Sequence, residues 1–130
     1  MERPKERAFR NLLVWKQSMD LARECYFLTK RLPREELYGL TSQLRRAATS
    51  VPANIAEGNG RRTRKDYISF LHIAQGSLRE LETYLILTVE VELLSEEETA
   101  PLLAQIDSVA RLLNRLIQSM VAQIPQPPTA

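Results

Sequence analysis

The sequence predicts an all-α fold, an antiparallel up-down-up-down four-helix bundle, and three observations carry that prediction. Apolar residues recur at spacings of three and four along four long segments. Only 4 Gly and 7 Pro occur in 130 residues, too few turn-formers for a sandwich or barrel of many short strands. The breaks between segments are short, which makes consecutive helices antiparallel neighbours. No repeat of solenoid period is visible. The expectation is one bundle domain over 1–122 and a disordered Pro-rich tail over 123–130, where Pro125, Pro127 and Pro128 crowd together.

The first helix is expected over 11–31, with Asn11 as N-cap and Pro33 ending it. Leu12, Trp15, Met19, Ala22 and Tyr26 form one apolar stripe, and Val14, Leu21, Cys25, Leu28 and Leu32 form another beside it. The second helix is expected over 42–58, capped by Thr41, with Leu44, Ala48, Val51 and Ile55 as its apolar stripe. Pro52 lies inside this pattern and costs about 3 kcal/mol unless compensated, so the segment is either one helix kinked near Ala48 or two split at Val51. Because the apolar spacing runs through, the kink is preferred. Gly58-Asn59-Gly60 reads as a stop, with glycine supplying a left-handed conformation.

Thr63 and Asp66 resemble a capping box opening a third helix over 64–94, which again carries two stripes. These are Leu71, Ala74, Leu78, Leu81, Leu85 and Phe70, Ile73, Ser77, Tyr84, Leu87, Val91. The fourth helix starts either at a capping box formed by Ser95 and Glu98 or at Thr99, with Pro101 in its first turn. The range adopted is 99–121. Turning the second and third helices back at residue 62 pairs positions whose numbers sum to about 124, at the usual interhelical distance of roughly 8–10 Å. Ala47, Ala48 and Ser50 then meet Ala74, Gly76 and Ser77, and Arg45 or Arg46 is expected to pair with Glu80.

Composition excludes several functions. One Cys and one His leave no disulfide and no Cys–His metal site, so neither a metal nor a cofactor is expected, and a reducing cytoplasm is the default. No apolar run reaches the roughly 18–20 residues that span a bilayer, and the charged start Met1–Arg7 has no apolar core of a signal peptide. His72 has no Glu three residues before it, so the Glu-x-x-His pattern of di-iron bundles is absent. A serine nucleophile would lack a base, and no enzyme is expected. The net charge of +2 conceals an asymmetry: residues 1–65 carry 15 basic and 7 acidic side chains, residues 66–130 only 3 basic and 9 acidic. Such polarity suits an anionic partner, self-association, or pairing of the halves within the fold.

The run Gln43-Leu44-Arg45-Arg46-Ala47-Ala48-Thr49-Ser50-Val51-Pro52-Ala53-Asn54-Ile55-Ala56-Glu57-Gly58 is the most specific part of the chain. With Asp66–Glu82 and the opening Leu13-Val14-Trp15-Lys16, it resembles the bacterial four-helix bundle proteins encoded in intervening sequences of 23S ribosomal RNA genes. The resemblance spans residues 9–120 and implies a non-enzymatic bundle that assembles into a homo-oligomeric ring, a homopentamer. Related bundles are accessory proteins to reverse transcriptases of diversity-generating retroelements, with a basic surface suited to nucleic acid. No residue here marks that branch.

Arg61, Arg62, Arg64 and Lys65 form the densest basic cluster, and Arg45 with Arg46 forms a second patch about four turns away. These six are the candidate nucleic-acid contacts, for RNA or a DNA–RNA hybrid. A solvated, solubilising loop is the plain alternative. Asn54, Glu57 and Glu80 read as a structural polar network, with Glu57 and Arg61 at i,i+4. A bundle needs one apolar stripe per helix. The second stripes of the first and third helices are therefore expected at subunit contacts, with Trp15 and Tyr84 as anchors. Two functions stay open: an oligomeric nucleic-acid-binding accessory protein, or a protein–protein scaffold that binds no nucleic acid.

Overall fold

The computed structural model describes residues 5–125. Residues 1–4 and most of the tail expected at 123–130 lie outside the described residues. Four helices form an antiparallel bundle: α1 (Leu13–Thr29), α2 (Leu40–Asn59), α3 (Arg64–Glu90) and α4 (Glu96–Ala122). Each packs on the next, and α4 returns to α1. Short 3-10 turns occupy Lys5–Asn11 and Arg34–Glu36. One end of the bundle therefore gathers the start of α1, the α2–α3 turn and the end of α4. The other gathers the α1–α2 connection and the α3–α4 turn. Arg61, Arg62, Arg64 and Lys65 fall at the first end, and Glu35, Glu36, Glu90, Glu92, Glu96, Glu97 and Glu98 at the second. The second end also holds Lys30, Arg31, Arg34, Arg45 and Arg46, and the first Glu57 and Asp66, so the charges along the axis are biased but mixed.

Leu21, Leu44, Ile55, Leu71, Leu81, Leu85, Ile106 and Leu113 are fully buried along the axis, each contributing about 1.5–3 kcal/mol of burial. Buried hydroxyls bond their own helix: Ser18 Oγ donates to Trp15 O at 2.8 Å, Thr29 Oγ1 to Cys25 O at 2.8 Å and Thr88 Oγ1 to Leu85 O at 2.6 Å. No buried side-chain N or O among the described residues lacks a partner, as a well-specified core requires.

The helix ends differ from the sequence expectation, each for a local reason. Asn11 closes the preceding 3-10 turn, and extended Leu12 is the N-cap of α1. At the other end, Arg31 N and Leu32 N bond Leu28 O and Thr29 O at 3.0 and 3.1 Å, so the chain tightens after Thr29, before Pro33. Thr41 is not a cap but a buried first-turn residue of α2. The orphan N–H of Leu40 is satisfied by Glu36 Oε1 at 3.1 Å. α2 passes through Pro52 as one helix.

Glycine serves a different purpose from the one expected at Gly58. No described glycine has positive φ, and the C-cap Gly60 sits at φ −85°. Gly58 is buried inside α2, where a Cβ would lie 2.8 Å from Phe70 Cβ, 2.9 Å from Tyr67 Cδ1 and 3.1 Å from Tyr67 O. Glycine is needed there for the close approach of α2 to α3.

α3 opens as expected, with Asp66 N donating to Thr63 Oγ1 at 3.1 Å. It stops at Glu90, not Leu94, because Glu92 takes φ 64°. Leu93 N then bonds Thr88 O at 2.9 Å and Glu92 N bonds Val89 O at 3.0 Å. This is a Schellman closure with glutamate where glycine is usual. Glu92→Gly should therefore raise unfolding stability by about 0.5–1 kcal/mol. Chemical denaturation checks it, and a lowered midpoint would refute the strain. Of the two starts considered for α4, Ser95 is realised. Glu98 N donates to Ser95 Oγ at 3.1 Å and Ser95 N to Glu98 Oε1 at 3.0 Å. Thr99 is buried in the first turn, and Pro101 lies within the helix. The backbone N–H of Ser95, helped by Arg31 at 2.8 Å, holds the Glu98 carboxyl below the usual range.

Candidate functional site

Small residues set the α2–α3 contact. Ser50 Oγ meets Ser77 Oγ at 2.7 Å, so the pairing sum is 127 at this point. Ser77 Oγ donates to Ile73 O at 3.2 Å, and Asn54 Nδ2 donates to Ser50 O at 2.8 Å and to Ser50 Oγ at 2.9 Å. The hydroxyls thus run in one direction: Asn54 to Ser50, Ser50 to Ser77, Ser77 to the Ile73 carbonyl. Glu57 lies outside this chain and pairs with Arg61. Glu80 lines a shallow groove with Gln43, Arg46 and Ser77. The ion pair expected between Glu80 and Arg45 or Arg46 does not form among the described residues. Arg45 is held elsewhere: its Nε donates to Thr29 Oγ1 at 2.8 Å and its guanidinium lies 4.5 Å from the Tyr26 ring centre.

Gly76, expected in the same contact, faces away from α2. Nothing lies within 4 Å of a Cβ built on it. It belongs to a groove of about 370 Å³ between α3 and α4. A glycine inside a helix costs about 1 kcal/mol against alanine, and no packing constraint within the chain requires it here.

The basic cluster divides into held and open cations. Arg61 is ion-paired with Glu57 and lies 4.7 Å from the Phe70 ring centre. Arg62, Arg64 and Lys65 are exposed on the α2–α3 turn, with no ion pair among the described residues. Arg46 is exposed and Arg45 half-buried, so the two patches stay separate.

The double stripes leave apolar surface open on two faces. On α1, half-buried Trp15 stacks edge-on against Phe9 at 5.2 Å and, with Met19 and Tyr26, lines a groove of about 460 Å³ against α2. On α3, Ile73 is 50% exposed and Leu87 39%, alongside half-buried Tyr84, and Val91 just past its end is 51% exposed. Tyr38, which the sequence reading passed over, is 93% exposed at the α1–α2 connection.

Catalytic chemistry has little to work with. Cys25 is buried, its Sγ 3.6 Å from Leu44 O, and burial pushes the thiol up to about 11 although Arg45 opposes the shift. Such a thiol is a packed, unreactive group. His72 is an exposed residue of α3 whose Nδ1 faces Gln75 Oε1 at 2.9 Å. No group of three or more His, Cys, Asp or Glu among the described residues could hold a metal ion. No helix among them is long and apolar enough to cross a membrane.

Comparison with known proteins fits this geometry. The model of the 23S rRNA-intervening sequence protein family matches residues 10–115. The fold is shared with the crystal structure of a protein of unknown function from the S23 ribosomal protein family of Bacteroides thetaiotaomicron. The two are 28% identical with a TM-score of 0.76, over 82% of this chain and 99% of the other. No curated protein matches the chain.

Proposed function

This chain belongs to the 23S rRNA-intervening sequence protein family, and from that premise we propose that it is a non-enzymatic nucleic-acid-binding accessory protein that works as a homo-oligomer. The observation that carries the reading is the α2–α3 turn, where Arg62, Arg64 and Lys65 stand exposed with no carboxylate paired to them among the described residues. Exposed cations on a turn fit phosphates, and their affinity is electrostatic and independent of sequence. Arg61 contributes charge from a fixed position, and Arg45 and Arg46 add a second, weaker patch.

Assembly supplies what one chain lacks. The open faces around Trp15 and around Tyr84 differ, so a contact between them is heterologous, and such contacts close into rings. A ring, five copies in this proposal, repeats the turn and multiplies weak phosphate contacts. The partners proposed are a second copy of the chain, RNA or a DNA–RNA hybrid, and a reverse transcriptase handling that hybrid, all in the cytoplasm and away from membranes. The rival reading, a protein-only scaffold, draws on the same open apolar faces and on Tyr38.

Salt separates the two. Anisotropy of a labelled RNA should show log K falling with log salt at a slope of about −0.7 to −0.9 per phosphate neutralised. Replacing Arg61, Arg62, Arg64 and Lys65 by Glu together should abolish binding. RNA binding that ignores salt or survives the fourfold change would remove this cluster as the phosphate contact, and no RNA binding even at low salt would favour the scaffold.

A further inference from the structure

The α3–α4 groove is unused by that reading, and its chemistry is specific. Exposed Gly76, where the space a side chain would fill is open, lines it beside buried Ile106. Its rim is polar and carries no carboxylate: His72, Gln75, Arg79 and Asn114. Gln75 Oε1 can only accept, so His72 Nδ1 donates to it at 2.9 Å, and Gln75 Nε2 in turn donates to Asn114 Oδ1. The relay spans two helices and leaves Asn114 Nδ2 as a donor and His72 Nε2 as a donor or acceptor facing out. Arg79 bonds Glu82 through one nitrogen at 3.2 Å and keeps its other N–H groups. At about 370 Å³, the groove falls in the range of roughly 300–1,000 Å³ of small-molecule sites.

Position connects this groove to the basic turn. Lys65, His72 and Arg79 are spaced by seven and share one face of α3, about 10 Å apart. A phosphodiester strand held at the turn can follow this line past the groove mouth. We propose that the groove receives one unstacked nucleotide of a single strand. The base rests on the Gly76–Ile106 surface with its edge on Asn114 and His72, and its phosphate lies toward Arg79. This rests on the nucleic-acid reading above and adds to it a preference for unpaired strands. Duplex bases, being stacked, cannot enter.

Gly76→Leu tests it, because leucine fills the groove while favouring the helix. Affinity is measured by anisotropy for a single-stranded uridine dodecamer and for a hairpin RNA duplex. His72 is the chain's one histidine, so its imidazole NMR signals report occupancy directly. Expected results are a tenfold or greater loss of dodecamer binding in Gly76→Leu, unchanged hairpin binding, and movement of the His72 signals by uridine monophosphate but not by inorganic phosphate. Equal dodecamer affinity in Gly76→Leu and unchanged protein overturns the groove and leaves the basic turn standing. Equal shifts with inorganic phosphate overturn base recognition. If the unchanged protein binds neither RNA, both readings fall.

Discussion

Gly58→Ala lowers unfolding stability by about 1–3 kcal/mol, although alanine is the better helix former. Helix propensity alone would add about 1 kcal/mol at a helical position. The added methyl, however, would stand 2.8 Å from Phe70 Cβ and 3.1 Å from Tyr67 O. Both atoms are anchored to the backbone of α3, so no rotamer change relieves the clash and the helices must separate. Separation loosens the neighbouring contacts as well, including the 3.1 Å hydrogen bond from Asn59 Nδ2 to Tyr67 Oη and the Ser50–Ser77 bond at 2.7 Å. Denaturant unfolding, with the slope unchanged, reads the loss. A stabilised variant would show that α2 and α3 approach less closely than described.

Ile73→Glu combined with Leu87→Glu reduces the protein to single chains in light scattering, while the helical circular dichroism stays intact. Ile73 is 50% and Leu87 39% exposed in the single chain, so the bundle tolerates charge there. Buried against a neighbour, each unpaired carboxylate costs several kcal/mol, and the cost recurs at every interface of a ring. The unchanged protein should scatter as a multiple of one chain, fivefold for the proposed ring. If it scatters as one chain at tens of micromolar, assembly through these faces is refuted and the pooled basic turns with it.

Much of the fold is legible in the sequence, because burial imposes helical periodicity directly. Leu44, Ala48, Val51 and Ile55 announce α2, and all four are buried. Helix ends are less legible, since single hydrogen bonds decide them. Nothing about Glu92 as a residue type foretells φ 64°, and Glu36 capping Leu40 requires knowing how the α1–α2 connection folds back. The two glycines show the deeper limit. Gly58, expected as a left-handed stop, instead makes the close contact of α2 with α3, while Gly76, expected in that contact, lies at the α4 groove. A neighbouring position on a helix points about 100° away. Ser77 makes the contact with Ser50, so Gly76 beside it faces the α4 groove instead. The groove itself has no sequence signature, since Gln75 and Asn114 stand 39 residues apart and meet only through the α3–α4 turn.

On the nucleic-acid reading proposed above, a bundle with open cations at the α2–α3 turn, and glutamates mixed with Lys30, Arg31 and Arg34 at the far end, would orient like a compass needle in the field of a polyanion. Torque acts on it within about 10 Å at 0.1 M ionic strength, before any side chain touches. The needle swings turn-first, so orientation precedes contact, and adding salt erases the alignment along with the attraction.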